Sequence, residues 1–297
     1  MFLRKLFGSK KNKKTEENTH EVIDSGNIRV VIQSDLGNIR LNNEDLGMFF
    51  RVADEKIIRE KGYLLIVADG MGGHQAGEVA SKMATETISQ EYFKKGNTAN
   101  TEAILKKAFE IANKNIFKKA STEKSYYGMG TTCTAIAVID KKVFFAHVGD
   151  SRAYFIRKNN IRQITTDHTY VQELVKSGEI TPKEAETHPK RNILTNAMGT
   201  KPDLRIDTGK FEFLFEKGDK LLLCSDGLYD YIGDEEMAKV LGEHSLQDAA
   251  DYMISETKKR GGHDNITVVL AEKIEVETTA KETRDIDLPL TKEHDLL

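Results

Sequence analysis

The chain is poor in proline, with 4 residues, and in cysteine, with 2, and its 44 basic side chains nearly cancel its 47 acidic ones. Each scarcity removes a class of protein. So little proline argues against a collagenous or mucin-like chain, and 39% hydrophobic residues argue against a wholly disordered one. A net charge of −3 offers no global field to hold a nucleic-acid backbone, so no nucleic-acid partner is expected. No apolar run approaches the roughly 20 residues of a membrane span, and Met1 to Gly8 lacks the apolar centre of a signal peptide. A cytoplasmic location is the expectation. Cys133 and Cys224 each stand inside a strand-like apolar run, which reads as two small buried hydrophobes rather than a disulfide or metal pair.

At 297 residues the chain has room for one large domain, and its composition adds a tail at each end. Residues 1–27 read as a flexible leader, whose first part carries Arg4, Lys5, Lys10, Lys11, Lys13 and Lys14 among Phe2, Leu3, Leu6 and Phe7. One short polybasic signal binds an anionic membrane only marginally, so a solvated leader is favoured over a membrane contact. From Glu272 to the end eight acids face four bases with almost no apolar periodicity, so residues 273–297 read as an acidic flexible tail.

Between the tails, apolar runs of strand length recur at 28–33, 47–52, 63–68, 131–139, 142–148, 152–156, 204–215, 220–224 and 266–270. Two helices show by their stripes: Ala76, Val79, Ala80, Met83, Ile88 and Tyr92, then Ile104, Leu105, Ala108, Phe109, Ala112 and Ile116. Two shorter ones show by their caps, Thr169 with Gln172 and Thr181 with Pro182 and Glu184, and form a helical insertion. Asp234 and Ser245 are candidate caps for two more, ending near Leu241 and Lys259. Strands follow strands and helices come in pairs, so the class is α+β and mostly antiparallel rather than doubly wound.

The chemistry lies at strand ends. The run Leu64 to Ala68 ends in Asp69-Gly70, Leu221 to Ser225 ends in Asp226-Gly227, and Phe144 to Val148 delivers Gly149-Asp150. Asp264 immediately precedes the run at 266–270, and Glu44 and Asp45 precede the one at 47–52. Taken singly, an Asp-Gly pair is an ordinary tight turn. Asp69 and Asp226, however, follow runs too apolar for anything but core strands, so their tips are expected to converge. Two carboxylates about 4 Å apart repel by roughly 4 kcal/mol at an effective dielectric near 20, and four or five would not stay ionised together unaided. Hard oxygen ligands without clustered Cys or His select Mg²⁺ or Mn²⁺, and two such ions suit in-line attack of water on a phosphoryl group. Arg40, four residues before Glu44, could supply the bidentate cation a phosphate needs, although an ordinary solvated arginine fits that position equally well. The turn from Gly70 to Gly77 superficially resembles a nucleotide-binding loop, but Gln75 stands at the third-glycine place and no Lys-Ser/Thr pair follows.

Several motifs in order resemble the bacterial metal-dependent Ser/Thr protein phosphatases of type 2C: Ser34 to Arg40 with Asn43-Glu44-Asp45, Ala68 to His74, Gly128 to Thr132, Gly149-Asp150-Ser151-Arg152, Asp167-His168, Cys224 to Gly227 and Gly262 to Asn265. The resemblance covers about residues 28–272. It implies a four-layer α-β-β-α sandwich, two antiparallel sheets flanked by helices, with a binuclear metal centre at one end and a mobile flap over about 166–199. By the same resemblance Asp69 bridges both metals, Asp226 and Asp264 bind the first, Glu44 and the Gly70 carbonyl bind the second, and Asp45 holds a metal-bound water. Asp150 with Asp226 matches the site of a third, weaker metal, and Arg40 matches the phosphate-binding arginine. Eukaryotic members place a candidate general acid, a histidine, where Met71 stands here. His74, His168 or a metal-bound water is left to protonate the leaving oxygen, with the water favoured. The implied activity is hydrolysis of phosphoserine and phosphothreonine by a monomer that opposes a Ser/Thr kinase. A catalytically silent phosphoprotein-binding relative would typically lack a metal carboxylate, and none is missing.

Overall fold

Apolar runs that are continuous rather than alternating need cover on both faces of their sheet, and this requirement sets the layering. The structure, a computed structural model, describes residues 18–72, 76–96 and 100–275. The basic stretch of the leader, His74 and the tail beyond residue 275 lie outside the described residues. Strands β1 (Thr19–Ser25), β2 (Ile28–Asp35) and β3 (Asp45–Phe50) precede helix α1 (Glu55–Lys61). Strand β4 (Tyr63–Met71) leads into α2 (Ala76–Tyr92) and α3 (Thr101–Thr122). Next come β5 (Gly130–Thr131), β6 (Cys133–Ile139), β7 (Lys142–Val148), β8 (Arg152–Arg157) and β9 (Asn160–Gln163), then α4 (Tyr170–Ser177) and α5 (Pro182–Glu186). The chain continues through β10 (Asp207–Lys210), β11 (Lys220–Cys224), α6 (Asp226–Tyr229), α7 (Asp234–Glu243), α8 (Leu246–Lys259) and β12 (Ile266–Lys273).

One sheet has the order β1-β2-β12-β11-β8-β9 and the other β10-β7-β6-β4-β3, with β5 beside the end of β4. The ladders are antiparallel. Along β4, Leu64, Ile66 and Ala68 pack with Ala80, Ile88, Leu105 and Phe109 of α2 and α3, while Leu65 and Val67 turn to the other sheet. Along β11, Leu222 and Cys224 pack with Met237, Leu241 and Met253 of α7 and α8, while Leu221 and Leu223 meet Ile136 and Val269 between the sheets. Three apolar layers thus separate four structural ones, and the fold is the α+β sandwich of two antiparallel sheets flanked by helices. Both cysteines are buried within it. Among the described residues, no helix is long and apolar enough to cross a membrane.

The structure departs from the sequence reading at several places, each with a physical cause. Strand β1 lies within the stretch expected to be leader, and it pairs with β2 from Thr19↔Ser34 to Ser25↔Ile28. Its residues are mostly exposed, so it shows little of the apolar pattern of a buried strand. The run at 204–215 is strand only from Asp207 to Lys210, its ladder with β7 ending at the pair Lys210↔Phe144. Beyond that point it is held by isolated bonds, from Phe211 N–H to the Val143 carbonyl and from Phe215 N–H to the Lys141 carbonyl, each 2.8 Å. The expected strand over 131–139 breaks at Thr132, which leaves the ladder to bond Asp69. Helix α1 is too short for a stripe and is marked chiefly by its cap, Asp54, which accepts from the N–H groups of Lys56 and Ile57. Helix α7 is capped by Gly233 rather than by Asp234, which takes the first helical position.

Candidate metal centre and active site

Register places the first pair of acids. Asp45 and Asp69 are direct cross-strand neighbours at the ends of β3 and β4, where like charges oppose pairing. Thr132 holds the main chain at Asp69 from the other side: its Oγ1 accepts the Asp69 N–H at 3.0 Å, and its own N–H donates to the Asp69 carbonyl at 2.9 Å. Asp226 opens α6 directly after Ser225, whose hydroxyl donates to Asp45 Oδ2 at 2.6 Å and accepts from the Thr267 N–H at 3.1 Å. Asp150 is buried, and its carbonyl accepts from the Tyr229 hydroxyl of the same α6 turn at 3.1 Å.

Glu44 is brought in by close backbone approach. The Gly70 N–H donates to the Glu44 carbonyl at 3.1 Å, and the Gly77 N–H at the start of α2 donates to the Glu44 carboxylate. A β-carbon on Gly70 would stand 2.2 Å from the Gly77 carbonyl oxygen, and one on Gly77 would stand 2.6 Å from the Glu44 carboxyl. Only glycine at both lets the strand end, helix start and acidic loop meet. Asp264 faces Arg40, whose Nη2 donates to its Oδ2 at 2.5 Å. Arg40 is therefore not idle in solvent but is already paired across the mouth.

Asn265 joins the two acidic loops, a role that sequence reading did not assign. Its Oδ1 accepts the Glu44 N–H at 2.9 Å, and its Nδ2 donates to the carbonyls of Leu36 at 3.0 Å and Asn42 at 3.1 Å. Its sequence signal was its place beside Asp264 in the motif Gly262 to Asn265. Asn265→Ala is expected to cost about 2–3 kcal/mol, because it strips three bonds from half-buried main-chain groups. It should also raise the Mn²⁺ concentration for half-maximal activity about 10- to 100-fold, as loss of a group that orients a ligand does. Chemical denaturation and a metal titration check both, and an unchanged metal requirement would show that Glu44 holds its position without Asn265.

The electrostatics follow from burial and crowding. Burial, with the charges of Asp45, Asp226, Asp150 and Asp264, holds the Asp69 carboxyl well above its ordinary range. Asp226 is raised likewise by burial and by Asp150 and Asp264. Burial pushes Asp45 up to about 7 against the hydrogen bonds of Ser225 and Thr267, and pushes Asp150 up to about 7 with help from Asp167. Glu44 is raised by burial although Arg40 opposes the shift. Asp69 and Asp226 therefore feel the charges of acids from distant parts of the chain. Asp226 Oδ1 is buried without a hydrogen-bond partner among the described residues. An orphaned carboxylate oxygen inside an all-oxygen donor set fits a hard divalent cation. Among the described residues no three His, Cys, Asp or Glu side chains are already drawn up around a single ion position. Asp264 is turned to Arg40 and Asp45 to Ser225, contacts with which a cation competes.

The histidines are accounted for differently. His168 is buried, with Nε2 3.1 Å from Asp207 Oδ2 and Nδ1 2.8 Å from Asn196 Nδ2. Burial keeps it below its usual range. Both ring nitrogens are engaged within the fold. His147 is a core residue bonded to Thr134 and held at about 3 by burial and by His168. Beside them, Arg152 chelates Asp167 at 2.8–3.2 Å and lies 3.7 Å over the Tyr229 ring, bracing the turn that carries Asp226. The insertion over 166–199 contains α4 and α5, and Arg191 within it reaches Asp230 at 2.9 Å.

The chain as a whole is similar to proteins of one family. The family model Protein phosphatase 2C matches residues 53–272. That stretch begins after Arg40, Glu44 and Asp45, whose place in the cluster rests on the geometry above. The serine/threonine phosphatase stp of Listeria welshimeri is 41% identical over 245 residues, 81% of this chain and 94% of that one. A crystal structure of the Mycobacterium tuberculosis serine/threonine phosphatase PstP/Ppp superposes with a TM-score of 0.73 at 36% identity, over 84% of this chain and 99% of that one. The catalytic domain of the serine threonine protein phosphatase PstP, solved in complex with two manganese ions, superposes with a TM-score of 0.69 at 34% identity, over 84% of this chain and 99% of that one. The match of family and fold makes this chain a member of the protein phosphatase 2C family, a metal-dependent serine/threonine phosphatase.

Proposed function

We propose that the cluster holds two Mn²⁺ or Mg²⁺ ions, with a third and weaker one between Asp150 and Asp226. Asp69 would serve both ions, Asp226 and Asp264 the first, Glu44 and the Gly70 carbonyl the second, and Asp45 would hold a water. What carries this reading is the unpartnered buried Asp226 Oδ1 beside the cross-strand pair Asp45 and Asp69, with burial and like charge holding Asp69 and Asp226 above their ordinary range. When bound, the ions supply a nucleophilic water at neutral pH and neutralise charge as the phosphate ester is split. Arg40 takes the phosphate oxygens by exchanging Asp264 for them, which leaves that carboxylate free to ligate. Neither cysteine is a nucleophile, because burial pushes both thiols upward and keeps them protonated. No covalent phosphoenzyme forms.

The substrates are phosphoserine and phosphothreonine side chains of proteins, the work of a Ser/Thr kinase that this enzyme opposes. It acts in the cytoplasm as a monomer. The full set of carboxylates favours an active enzyme over a silent phosphoprotein-binding relative. Hydrolysis of p-nitrophenyl phosphate with Mn²⁺, and its loss in EDTA, is the test. Activity that survives EDTA, or none with Mn²⁺, overturns the reading.

A further inference from the structure

Among the described residues few large apolar side chains are well exposed, and two of them flank Arg40: Ile39 is 63% and Leu41 is 87% exposed. Isolated exposed hydrophobes need no explanation, but this pair immediately precedes and follows Arg40 in the chain, the residue paired with Asp264. Their exposure is not slack. The loop beneath them is fastened by the Asn38 N–H to the Gly262 carbonyl at 2.7 Å, and by Asn38 Nδ2 to the carbonyls of Lys258 at 2.7 Å and Gly261 at 2.9 Å. The Gly37 N–H bonds Asp35 Oδ1 at 2.8 Å, and a β-carbon on Gly37 would stand 2.1 Å from the Asp264 carbonyl oxygen. Asn265 holds the loop at Leu36 and again at Asn42. A loop tied at both ends and packed from below presents Ile39 and Leu41 to solvent as a fixed lip. Across residues 36–43, Arg40 is the sole basic side chain and Glu44 begins the acids only afterwards.

We infer that Ile39 and Leu41 form an apolar lip that receives an apolar side chain next to the phosphorylated residue of a protein substrate, so that the enzyme prefers phosphoserine and phosphothreonine with apolar flanks. This rests on the reading of Arg40 as the phosphate-binding group. With the phosphate on Arg40, the neighbouring residues of an extended peptide lie over the side chains that bracket it. An apolar flank removes its own surface and that of Leu41 or Ile39 from water, and the fixed loop loses little freedom in the process. A charged or amide flank is desolvated there without a partner on the lip.

The experiment compares kcat/KM for two phosphothreonine peptides that differ only in the residues beside the phosphothreonine, leucine and valine in one and serine and asparagine in the other. Wild-type enzyme with Mn²⁺ is expected to favour the apolar peptide about tenfold, the scale of a modest apolar pocket. The double variant Ile39→Ser, Leu41→Ser should lose that preference, chiefly through KM, while hydrolysing p-nitrophenyl phosphate within about twofold of wild type, since that substrate has no flanking residues. Equal rates on the two peptides in wild type, or a preference retained by the variant, overturn the inference. So does a variant that loses p-nitrophenyl phosphate hydrolysis in step with the peptides, because the lip would then act only through Arg40. A wild-type enzyme inert towards p-nitrophenyl phosphate defeats the phosphatase reading itself, and the inference with it.

Discussion

Asp69→Asn is expected to lower kcat by roughly a thousandfold or more at saturating Mn²⁺, the scale lost when a principal electrostatic group of an active site is removed. The amide keeps the shape of the side chain but offers one oxygen where the carboxylate offers two, and it removes the charge that faces Asp45, Asp226, Asp150 and Asp264. The same change should raise the melting temperature of the metal-free protein by a few degrees, because burial and like charge make the ionised Asp69 costly to the fold when no cation is present. Activity and stability therefore move in opposite directions. A merely structural aspartate would lose both together. Near wild-type turnover in the variant would remove Asp69 from the metal centre, and p-nitrophenyl phosphate kinetics with a thermal melt in EDTA decide between these outcomes.

Removing the metal has the second large effect, and its sign depends on pH. In the metal-free fold Asp45 and Asp150 are pushed up to about 7, whereas an aspartate in the unfolded chain titrates near 4. Between those values the folded state binds more protons than the unfolded one, so stability falls as pH rises. The contribution is complete below about pH 4 and is lost as pH passes through about 7. The EDTA-treated protein should thus melt several degrees lower at pH 8 than at pH 5.5. Saturating Mn²⁺ should reverse this, since binding at 100 times Kd adds about 2.7 kcal/mol and the ions compete with protons for the same oxygens. For the same reason the Mn²⁺ needed for half-maximal activity rises as pH drops below 7. A metal-free melting temperature that is flat or climbs from pH 5.5 to 8 contradicts a crowded carboxylate cluster.

Legibility followed burial and chemistry. The strands under both cores announced themselves as unbroken apolar runs, so β4, β7, β11 and β12 were found with little error. The acids at their ends stood out because an aspartate after such a run has no packing reason to be there. Elements stabilised mainly by pairing left weaker marks: β1 is a mostly exposed and β9 a half-exposed edge strand, and the four-residue α6 is too short to show a stripe. Residues that bond main chain, such as Asn265 and Thr132, carry no pattern of their own, since a bond to a carbonyl is decided by where that carbonyl arrives.

By itself the amino-acid order determined that this chain is strand-rich, α+β and mostly antiparallel and that acids stand at several strand ends, because hydrophobic periodicity and local strand length are properties of neighbours along the chain. Only the tertiary structure decided which acids share one pocket, that Arg40 meets Asp264, that Ser225 reaches Asp45 across 180 residues, and that both nitrogens of His168 are already engaged. Those relations depend on strand register and on loops closing between distant segments. A shift of one residue in β3 against β4 would turn Asp45 to the opposite face of the sheet and separate it from Asp69 without changing the hydrophobic pattern of either run.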